Sequence, residues 1–242
     1  MERQRGSNPA VRAPDNKYPE GAGDGWDTVV GRHEFPERHV YALHPVRPSK
    51  PAPGSRMHSR YIPQLNEFFS VYALDYTDDE HLRLFHTWQN DPRVAKAWKE
   101  TGTLDQHREY LRKMHEDPHQ IAEDHLGLYY GAGDWDRGRH SLVGNERFRG
   151  SHRVIAWWCC LMHYLFLDDA RTEYVTGEPN YSHLASLTYD HATGMNVAKL
   201  VDLPHKRSAL ILGSREKFFH VAPMRFDGSD TLDRNTFRVL KL

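Results

Sequence analysis

The sequence contains few residues that could form covalent or metal cross-links. Among its 242 residues only Cys159 and Cys160 are cysteines, and they are adjacent in an apolar run. Adjacent thiols on a helix point apart and are poorly placed for a disulfide, which fits a reducing compartment. The chain has 17 histidines, but no CxxC pair and no helical HExxH pair, and Cys159-Cys160-x-x-His163 lacks zinc-finger spacing. We therefore expect no metal site.

Charge of one sign and long hydrophobic runs are also missing. The net charge is −1 and the pI is about 7.0, which does not favour nucleic acid or a membrane surface as a partner. No apolar run reaches membrane-spanning length and no signal-peptide pattern opens the chain, so a cytoplasmic protein is expected. Leu240-Lys241-Leu242 is close to a peroxisomal signal, the alternative location, although a small residue is expected where Leu240 stands. A small-molecule substrate remains, bound by a monomer or weak homodimer.

Composition divides the chain into three parts. Residues 1–60 are polar and rich in Gly and Pro, which predicts a mostly disordered arm with a short strand at His39–Leu43. Residues 61–221 have the length and hydrophobic patterning of one domain. Residues 222–242 have turn composition and read as a tail.

The stretch GRHSLVGNERFRGSHR (Gly138–Arg153) carries the clearest chemical signal. It predicts a strand at His140–Gly144, a loop containing Gly and Arg, and the start of a long apolar helix. Such a loop lets backbone N–H groups converge, and the helix N-terminus adds unpaired donors and a positive dipole. Side chains of Arg149, His152 and Arg153 add charge. The stretch therefore predicts a phosphate site next to a histidine.

Strands and helices alternate along the rest of the domain. Phe68–Asp75 is β-branched and aromatic, which predicts a strand. Capping boxes at Thr77–Glu80 and Thr103–Gln106 predict helix starts. A strand at Glu173–Gly177, a helix at Ser182–Thr193 and strands at Val197–Leu203 and Ser208–Gly213 follow. This order predicts an α/β fold with a mixed sheet flanked by helices.

Three separated motifs carry a resemblance to a known family. They are WQNDPRVAKAW (Trp88–Trp98), GRHSLVGNERFRGSHR and LVDLPHKRSAL (Leu200–Leu210). Together they resemble siderophore-biosynthesis acyltransferases of the GNAT superfamily over Tyr61 to Val221. The likeness is greatest to fungal N5-hydroxyornithine acyltransferases and weaker to bacterial N6-hydroxylysine acyltransferases. The resemblance implies a GNAT fold and acyl-CoA as cosubstrate.

The resemblance also implies roles for particular residues. His140 matches the active-site histidine, and the early motif implies an acceptor pocket that includes Trp88, Asn90 and Trp98. Tyr189 is a candidate general acid, one residue away from the usual offset before the following glycine. The loop that holds the pyrophosphate of coenzyme A in the family corresponds to Phe148, Arg149, Gly150, Ser151, His152, Arg153 and Val154.

One catalytic position departs from the bacterial pattern. There an Asp works with the histidine, and here that position holds Asn180. An amide can fix an imidazole tautomer but cannot stabilise an imidazolium, so we expect a weaker base at His140. Glu178 lies on the same strand face as Asn180 and is the alternative carboxylate. A hydroxylamine nitrogen is largely unprotonated near neutral pH and makes little demand on a base.

The resemblance has a gap between Ala122 and Glu123. The family pattern has two strands there, and a hairpin of that kind contains roughly 15–20 residues. Its loss would leave sheet edges unpaired. We expect an N-acyltransferase that forms a hydroxamate on N5-hydroxyornithine or N6-hydroxylysine. The alternative is a non-catalytic relative that binds coenzyme A or a partner protein without turnover.

Overall fold

Strands and helices alternate through most of the chain. The computed structural model describes residues 26–34, 37–117, 125–203 and 206–222, and the statements below concern these residues. The strands are β1 (Trp26–Glu34), β2 (Glu37–Pro45), β3 (Arg56–Ile62), β4 (Glu67–Tyr72), β5 (Arg137–Gly138), β6 (Tyr174–Gly177), β7 (Asn196–Leu203) and β8 (Lys206–Ser214). The helices are α1 (Asp79–Gln89), α2 (Pro92–Trp98), α3 (Leu104–Glu116), α4 (Ser151–Asp168), α5 (Leu184–Ala192) and α6 (Arg215–Val221).

The largest sheet has four strands in the order β5-β6-β8-β7. β5 runs parallel to β6, whereas β6 and β7 both pair antiparallel with β8. A parallel pair needs a long crossover, and α4 lies in the connection from β5 to β6. The expected mixed sheet with helices is confirmed.

The other strands pair separately. β1 pairs with β2 and β3 pairs with β4, both antiparallel. Within the described residues no strand joins β4 to β5, so the sheet is divided at this point. The predicted position of the missing hairpin, between Ala122 and Glu123, lies outside the described residues.

Helix α4 packs against both the four-stranded sheet and the β3–β4 pair. One side of it packs on β6 and β8, and another side packs on the β3–β4 pair. A helix buried on several sides must be apolar on several sides, which explains its composition. The first contact surface contains Val154, Trp158, Met162, Phe166, Val175, Met195, Ile211 and Phe218, and the second contains Ile62, Ala156 and Cys160.

The N-terminal arm contains more regular structure than its composition predicts. The strand expected at His39–Leu43 lies within β2, which pairs with β1 along its whole length. β3 also begins inside this region, at Arg56. Pairing satisfies the backbone donors and acceptors that face the partner strand, so two short segments that are weak alone form a hairpin. Residues 1–25 lie outside the described residues.

The strand predicted at His140–Gly144 is wrong. Strand β5 is Arg137–Gly138, and its pairing with β6 ends when the Arg139 N–H donates to the Thr176 carbonyl at 3.1 Å. A strand persists only where a neighbour takes its hydrogen bonds. Among the described residues β6 is the single neighbour of β5, and the chain beyond it leaves the sheet.

Both cysteines are free, as their adjacency predicts, and both are buried. Burial raises the pKa of the Cys159 thiol to about 12 and that of Cys160 to about 11, so neither is a thiolate at neutral pH. None of the described helices is both long and apolar enough to cross a membrane.

Candidate active site

The chain leaving β5 sends two consecutive side chains in opposite directions. The Arg139 side chain is 7% exposed, whereas that of His140 is 60% exposed. Inside the core the Arg139 guanidinium pairs with Asp190, and the Trp158 indole N–H donates to the same carboxylate at 3.0 Å. This buried anchor fixes the backbone at the point where His140 turns towards solvent.

His140 is paired with a carboxylate. Its Nε2 lies 2.9 Å from Oε1 of Glu178, the residue that follows β6. Glu178 is 13% exposed and also accepts from Lys206, whose Nζ is 3.5 Å from Oε1. Burial alone would raise the pKa of Glu178, but its hydrogen bond and electrostatic interaction with His140, together with the charge of Lys206, outweigh burial and lower this pKa to about 2. Glu178 is therefore a carboxylate that orients the imidazole.

Trp98 lies beside this pair. Its ring meets the His140 imidazole edge to face, with centroids 5.1 Å apart. Helix α2 ends at Trp98, because Lys99 adopts a left-handed conformation with φ of 59° and turns the chain away. The early motif and the histidine loop therefore meet, as the resemblance implies.

Asn180 does not share this position, and its assignment as the partner of His140 is corrected. The Asn180 Oδ1 accepts from the backbone N–H and the hydroxyl of Ser182, at 3.0 and 2.7 Å. Such a turn is the usual local bonding pattern of an Asn side chain. Glu178, the alternative carboxylate, is the residue hydrogen-bonded to His140.

Asn90 holds a turn in the structure, and its role in binding the acceptor stays a prediction. Its Nδ2 donates to the carbonyls of His86 and Gly102, and its Oδ1 accepts from the Gly102 N–H. These bonds join the end of α1 to the loop before α3. With its amide used in this way, Asn90 holds the loop before α3 against the end of α1.

Trp88 supports the loop that follows His140. A Cβ placed on Gly144 would lie 2.2 Å from two atoms of the Trp88 ring, so this backbone is in direct contact with the indole. Only glycine permits that approach. Trp88 therefore packs beneath the loop, while Trp98 contacts the histidine itself.

The loop before α4 reaches the helix through Gly150. This residue has φ of 113° and ψ of 142°, a conformation essentially restricted to glycine, and it is the N-cap of α4 without a side-chain cap. The first turn of α4 contains no acidic residue. The N–H groups of Gly150, Ser151 and His152 belong to the set that a helix start leaves without intrahelical partners.

The backbone N–H groups of four other residues predicted to contact the cofactor already have hydrogen-bond partners within the protein. The N–H of Arg149 donates to Glu146, and those of Arg153 and Val154 donate to the Gly150 carbonyl. The N–H of Phe148 donates to Asn145 at 3.1 Å. These N–H groups are hydrogen-bonded inside the turn and the helix. The backbone donors left to bind a phosphate are therefore those of residues 150–152.

The arginine side chains of the loop are similarly engaged. Arg149 donates to the Val143 and Gly144 carbonyls and forms ion pairs with Asp91 and Glu146, so its side chain stabilises the loop. Its contact with the cofactor stays a prediction.

Arg153 pairs with Glu67 of β4. Arg147 and Arg153 lie over the Phe148 ring, at 5.5 and 5.7 Å from its centroid. The Phe148 side chain is therefore held at the loop surface between two cations.

Two further sequence features are Tyr189, the candidate general acid, and a match to the HExxH pattern. Tyr189 packs against the core cluster with its ring 5.8 Å from Trp158, which does not favour the general-acid assignment. His115-Glu-Asp-Pro-His119 matches HExxH in letters, but α3 ends at Glu116 before Pro118. Among the described residues no three potential metal-ligating side chains come together.

The Arg139–Asp190–Trp158 anchor has no sequence signal. An arginine and an aspartate separated by 51 positions are ordinarily assigned to the surface. Their burial follows from the packing of α4 and α5 against the end of β5.

Comparison with known proteins identifies the family. The acetyltransferase (GNAT) domain model matches residues 77–122 and 120–203, two segments that meet beside the predicted gap. The transacylase SIDF of Beauveria bassiana, named for N(5)-hydroxyornithine and cis-anhydromevalonyl coenzyme A, is 55% identical over 81% of this chain and 47% of its own length. The hydroxyornithine transacylase SID3 of Ajellomyces capsulatus is 57% identical over 78% of this chain and 47% of its own length. A more distant relative is N(6)-hydroxylysine O-acetyltransferase of Escherichia coli, 31% identical over 76% of this chain and 62% of that protein.

Solved structures agree on the fold. A Bacillus halodurans protein of uncharacterised function has a TM-score of 0.63 at 18% identity, covering 69% of this chain and 94% of that one. The aminoglycoside acetyltransferase AAC(6')-Ib, solved with coenzyme A and kanamycin, has a TM-score of 0.51 at 17% identity, covering 58% of this chain and 93% of that one. The chain spans about half the length of the first curated relatives it matches. With the mixed sheet, the domain model and these relatives in agreement, the chain belongs to the GNAT acetyltransferase family.

Proposed function

We propose that this chain is an acyl-CoA-dependent N-acyltransferase that acylates the hydroxylamine nitrogen of N5-hydroxyornithine, with N6-hydroxylysine as the alternative acceptor. The observation that carries the proposal is the exposed His140 held by Glu178 at 2.9 Å, on the loop that leads into the N-terminus of α4. The names of the two fungal relatives support the acceptor. A hydroxamate product would bind ferric iron, which assigns the reaction to siderophore biosynthesis and iron acquisition.

The residues at the start of α4 fit the pyrophosphate of an acyl-CoA. Gly150 brings the backbone close without a side chain, and a Cβ there would lie 3.0 Å from the His152 ring. The uncapped first turn presents N–H donors and the positive end of the helix dipole. An acyl-CoA bound there would supply the acyl group as an activated thioester.

His140 has the chemistry of a proton acceptor. When Nε2–H donates to the Glu178 carboxylate, the lone pair of the neutral imidazole lies on Nδ1. Nδ1 accepts the proton that the hydroxylamine nitrogen loses as it bonds to the acyl carbon. The carbon–sulfur bond breaks, and the thiolate leaves with its electron pair and is protonated. Both reactants are held together, so positioning supplies much of the rate and no acyl-enzyme is required.

The test is a product assay on the 242-residue chain. Purified protein is incubated with N5-hydroxyornithine or N6-hydroxylysine and either acetyl-CoA or anhydromevalonyl-CoA, and products are identified by mass spectrometry. An N-acylated product forms a coloured ferric complex, whereas an O-acylated product does not. We expect the hydroxamate, and we expect His140→Ala to lower kcat by about 100-fold or more with little change in coenzyme A affinity.

The control separates inactivity from misfolding. Acetyl-CoA should raise the melting temperature of both the parent and His140→Ala, because a ligand that binds only the native state stabilises it. A folded protein that binds acetyl-CoA but gives no product with any pair would support the non-catalytic alternative. Equal losses of turnover and coenzyme A affinity in His140→Ala would indicate a structural histidine.

A further inference from the structure

Lys206 contacts Glu178, the residue that is hydrogen-bonded to His140. It is the first residue of β8, and its Nζ donates to the backbone carbonyl of Glu178 at 2.9 Å. The same Nζ lies 3.5 Å from Oε1, the oxygen that accepts from His140. One ammonium group therefore contacts both the backbone and the side chain of Glu178.

The backbone fixes this arrangement. Beyond the end of β6 the ladder with β8 continues, with an isolated bridge between Asn180 and Ser208. The Ala209 N–H donates to the Pro179 carbonyl at 2.9 Å, and the Tyr181 N–H donates to the Arg207 carbonyl at 3.2 Å. The segment carrying Glu178 is held against the start of β8, and the contact does not depend on the lysine alone.

Lys206 and Glu178 are both removed from bulk water, with side chains 19% and 13% exposed. Charges in such a position interact more strongly than the same charges on the surface. Because Glu178 is also hydrogen-bonded to His140, the Lys206–Glu178 contact affects the electrostatic environment of the His140 imidazole.

The charges around His140 would otherwise favour its protonated form. A lone carboxylate at hydrogen-bond distance stabilises the imidazolium, and an imidazolium cannot accept a proton. His140 faces neutral Trp98 on the α2 side and Glu178 on the β6 side. Glu178 in turn faces Lys206 of β8. It also interacts electrostatically with Arg139 at the end of β5, whose guanidinium is paired with Asp190. Among the described residues, Lys206 is a cation in direct contact with this carboxylate.

We propose that Lys206 is a positioning residue for the His140–Glu178 pair: its ammonium group holds the carboxylate in place and offsets its charge, so that His140 remains neutral and ready to accept a proton. This proposal rests on the function proposed above. It separates two tasks that a carboxylate performs in a histidine–carboxylate pair. Glu178 fixes the tautomer, and Lys206 limits how strongly Glu178 holds a proton on the ring.

The test compares Lys206→Met with Lys206→Arg, which keeps the charge. Arg207→Met is the matched control, since the neighbouring Arg207 is 55% exposed and pairs with Asp202. The titration midpoint of His140 is followed by NMR of labelled histidines, with His140→Gln identifying the signal among the 17 histidines. This measurement needs no turnover.

We expect Lys206→Met to move the His140 midpoint upward by about one pH unit, because the carboxylate is no longer offset. The acid limb of the kcat profile should move by the same amount, so that kcat on that limb falls about tenfold. In Lys206→Arg and Arg207→Met, the His140 midpoint and the acid limb of the kcat profile should both stay near the parent values.

The outcomes are distinguishable. The proposal would be overturned if a folded Lys206→Met protein had the same His140 titration midpoint as the parent. It would also be overturned if kcat of this variant fell equally at every pH. If the NMR midpoint moves as expected but no variant, including the parent, forms a hydroxamate, the electrostatic role stands and the proposed reaction fails. If Lys206→Met does not fold, Lys206→Gln is titrated instead, and an unmoved midpoint there is equally contrary.

Discussion

The side-chain oxygen of Asn180 accepts hydrogen bonds from both the backbone N–H and the hydroxyl of Ser182, at 3.0 and 2.7 Å. Two residues earlier, Oε1 of Glu178 lies 2.9 Å from His140 Nε2. These two residues, close in sequence, have separate roles, because Asn180 closes a turn while Glu178 is hydrogen-bonded to His140. The carboxylate that the bacterial pattern places at position 180 is supplied here from position 178.

This division predicts different effects for two conservative changes. Asn180→Asp should alter turnover by less than about threefold, since an Asp oxygen accepts the same two bonds from Ser182. Glu178→Gln should lower kcat by about 10- to 100-fold, because a neutral amide cannot stabilise the imidazolium as it forms. The hydroxamate assay measures both, with melting temperatures as the folding control. A larger loss in Asn180→Asp than in Glu178→Gln would contradict the assignment.

Gly150 should tolerate no side chain. We expect Gly150→Ala to lower the free energy of unfolding by about 1–3 kcal/mol, because its φ of 113° is strained for any L-residue. Coenzyme A affinity should fall as well, since the donors that follow Gly150 would be displaced. Calorimetric titration with acetyl-CoA and chemical denaturation measure the two effects.

Gly131→Ala is the matched control for that change. A Cβ at Gly131 meets nothing within 4 Å, so the variant should behave as the parent. Parent-like affinity and stability in Gly150→Ala would show that the loop before α4 is not held as described.

The buried Arg139–Asp190 pair should be costly to break from one side. Burial lowers the pKa of the Arg139 guanidinium to about 10, which still leaves it charged at neutral pH. Arg139→Met should destabilise the protein by about 3–5 kcal/mol, because it leaves the Asp190 charge buried without its partner. Urea denaturation gives the change in unfolding free energy.

The double variant Arg139→Met/Asp190→Asn should recover much of that loss. It removes the buried charge and keeps an oxygen for the Trp158 indole N–H, which donates to Asp190 at 3.0 Å. Arg83→Met, which removes an exposed pair with Glu80, should change stability little. A double variant as unstable as the single one would show that the charge pair is not the source of the effect.

His163 should make stability depend on pH in mildly acidic solution. Burial, followed by the charges of Arg60 and His58, lowers the pKa of His163 from 6.5 to about 4. Arg60 Nη1 lies 2.7 Å from His163 Nδ1, and an arginine can only donate, so Nδ1 must be unprotonated. As pH falls from about 6.5 to about 4, the unfolded chain takes up a proton that the folded chain refuses, so stability decreases.

His163→Gln should reduce this dependence, because glutamine can accept from Arg60 without titrating. Denaturation at several pH values between 4 and 7 measures the slope, and His191→Gln at an exposed position serves as control. An unchanged slope in His163→Gln would mean that other groups set the pH response.

Local signals in the sequence predicted helix starts with unequal success. Thr103 and Gln106 form the reciprocal capping box that their spacing predicts. At the other predicted box, Asp78 rather than Thr77 caps α1, and the Thr77 hydroxyl donates to Asp75 at 2.6 Å. Both are acceptable caps, and a neighbouring carboxylate outside the helix selected between them.

The sequence by itself determined the features that depend on short-range pattern. The long apolar helix after Gly150, the strands beside it, the unpaired cysteines and the motifs of the acyltransferase family were all evident, because side-chain period, glycine conformation and motif spacing act over a few residues. Tertiary structure alone decided which side chains meet. It placed Glu178 rather than Asn180 at His140 and buried Arg139 with Asp190. It also ended β5 two residues before His140, because strand pairing and burial depend on partners distant in the chain.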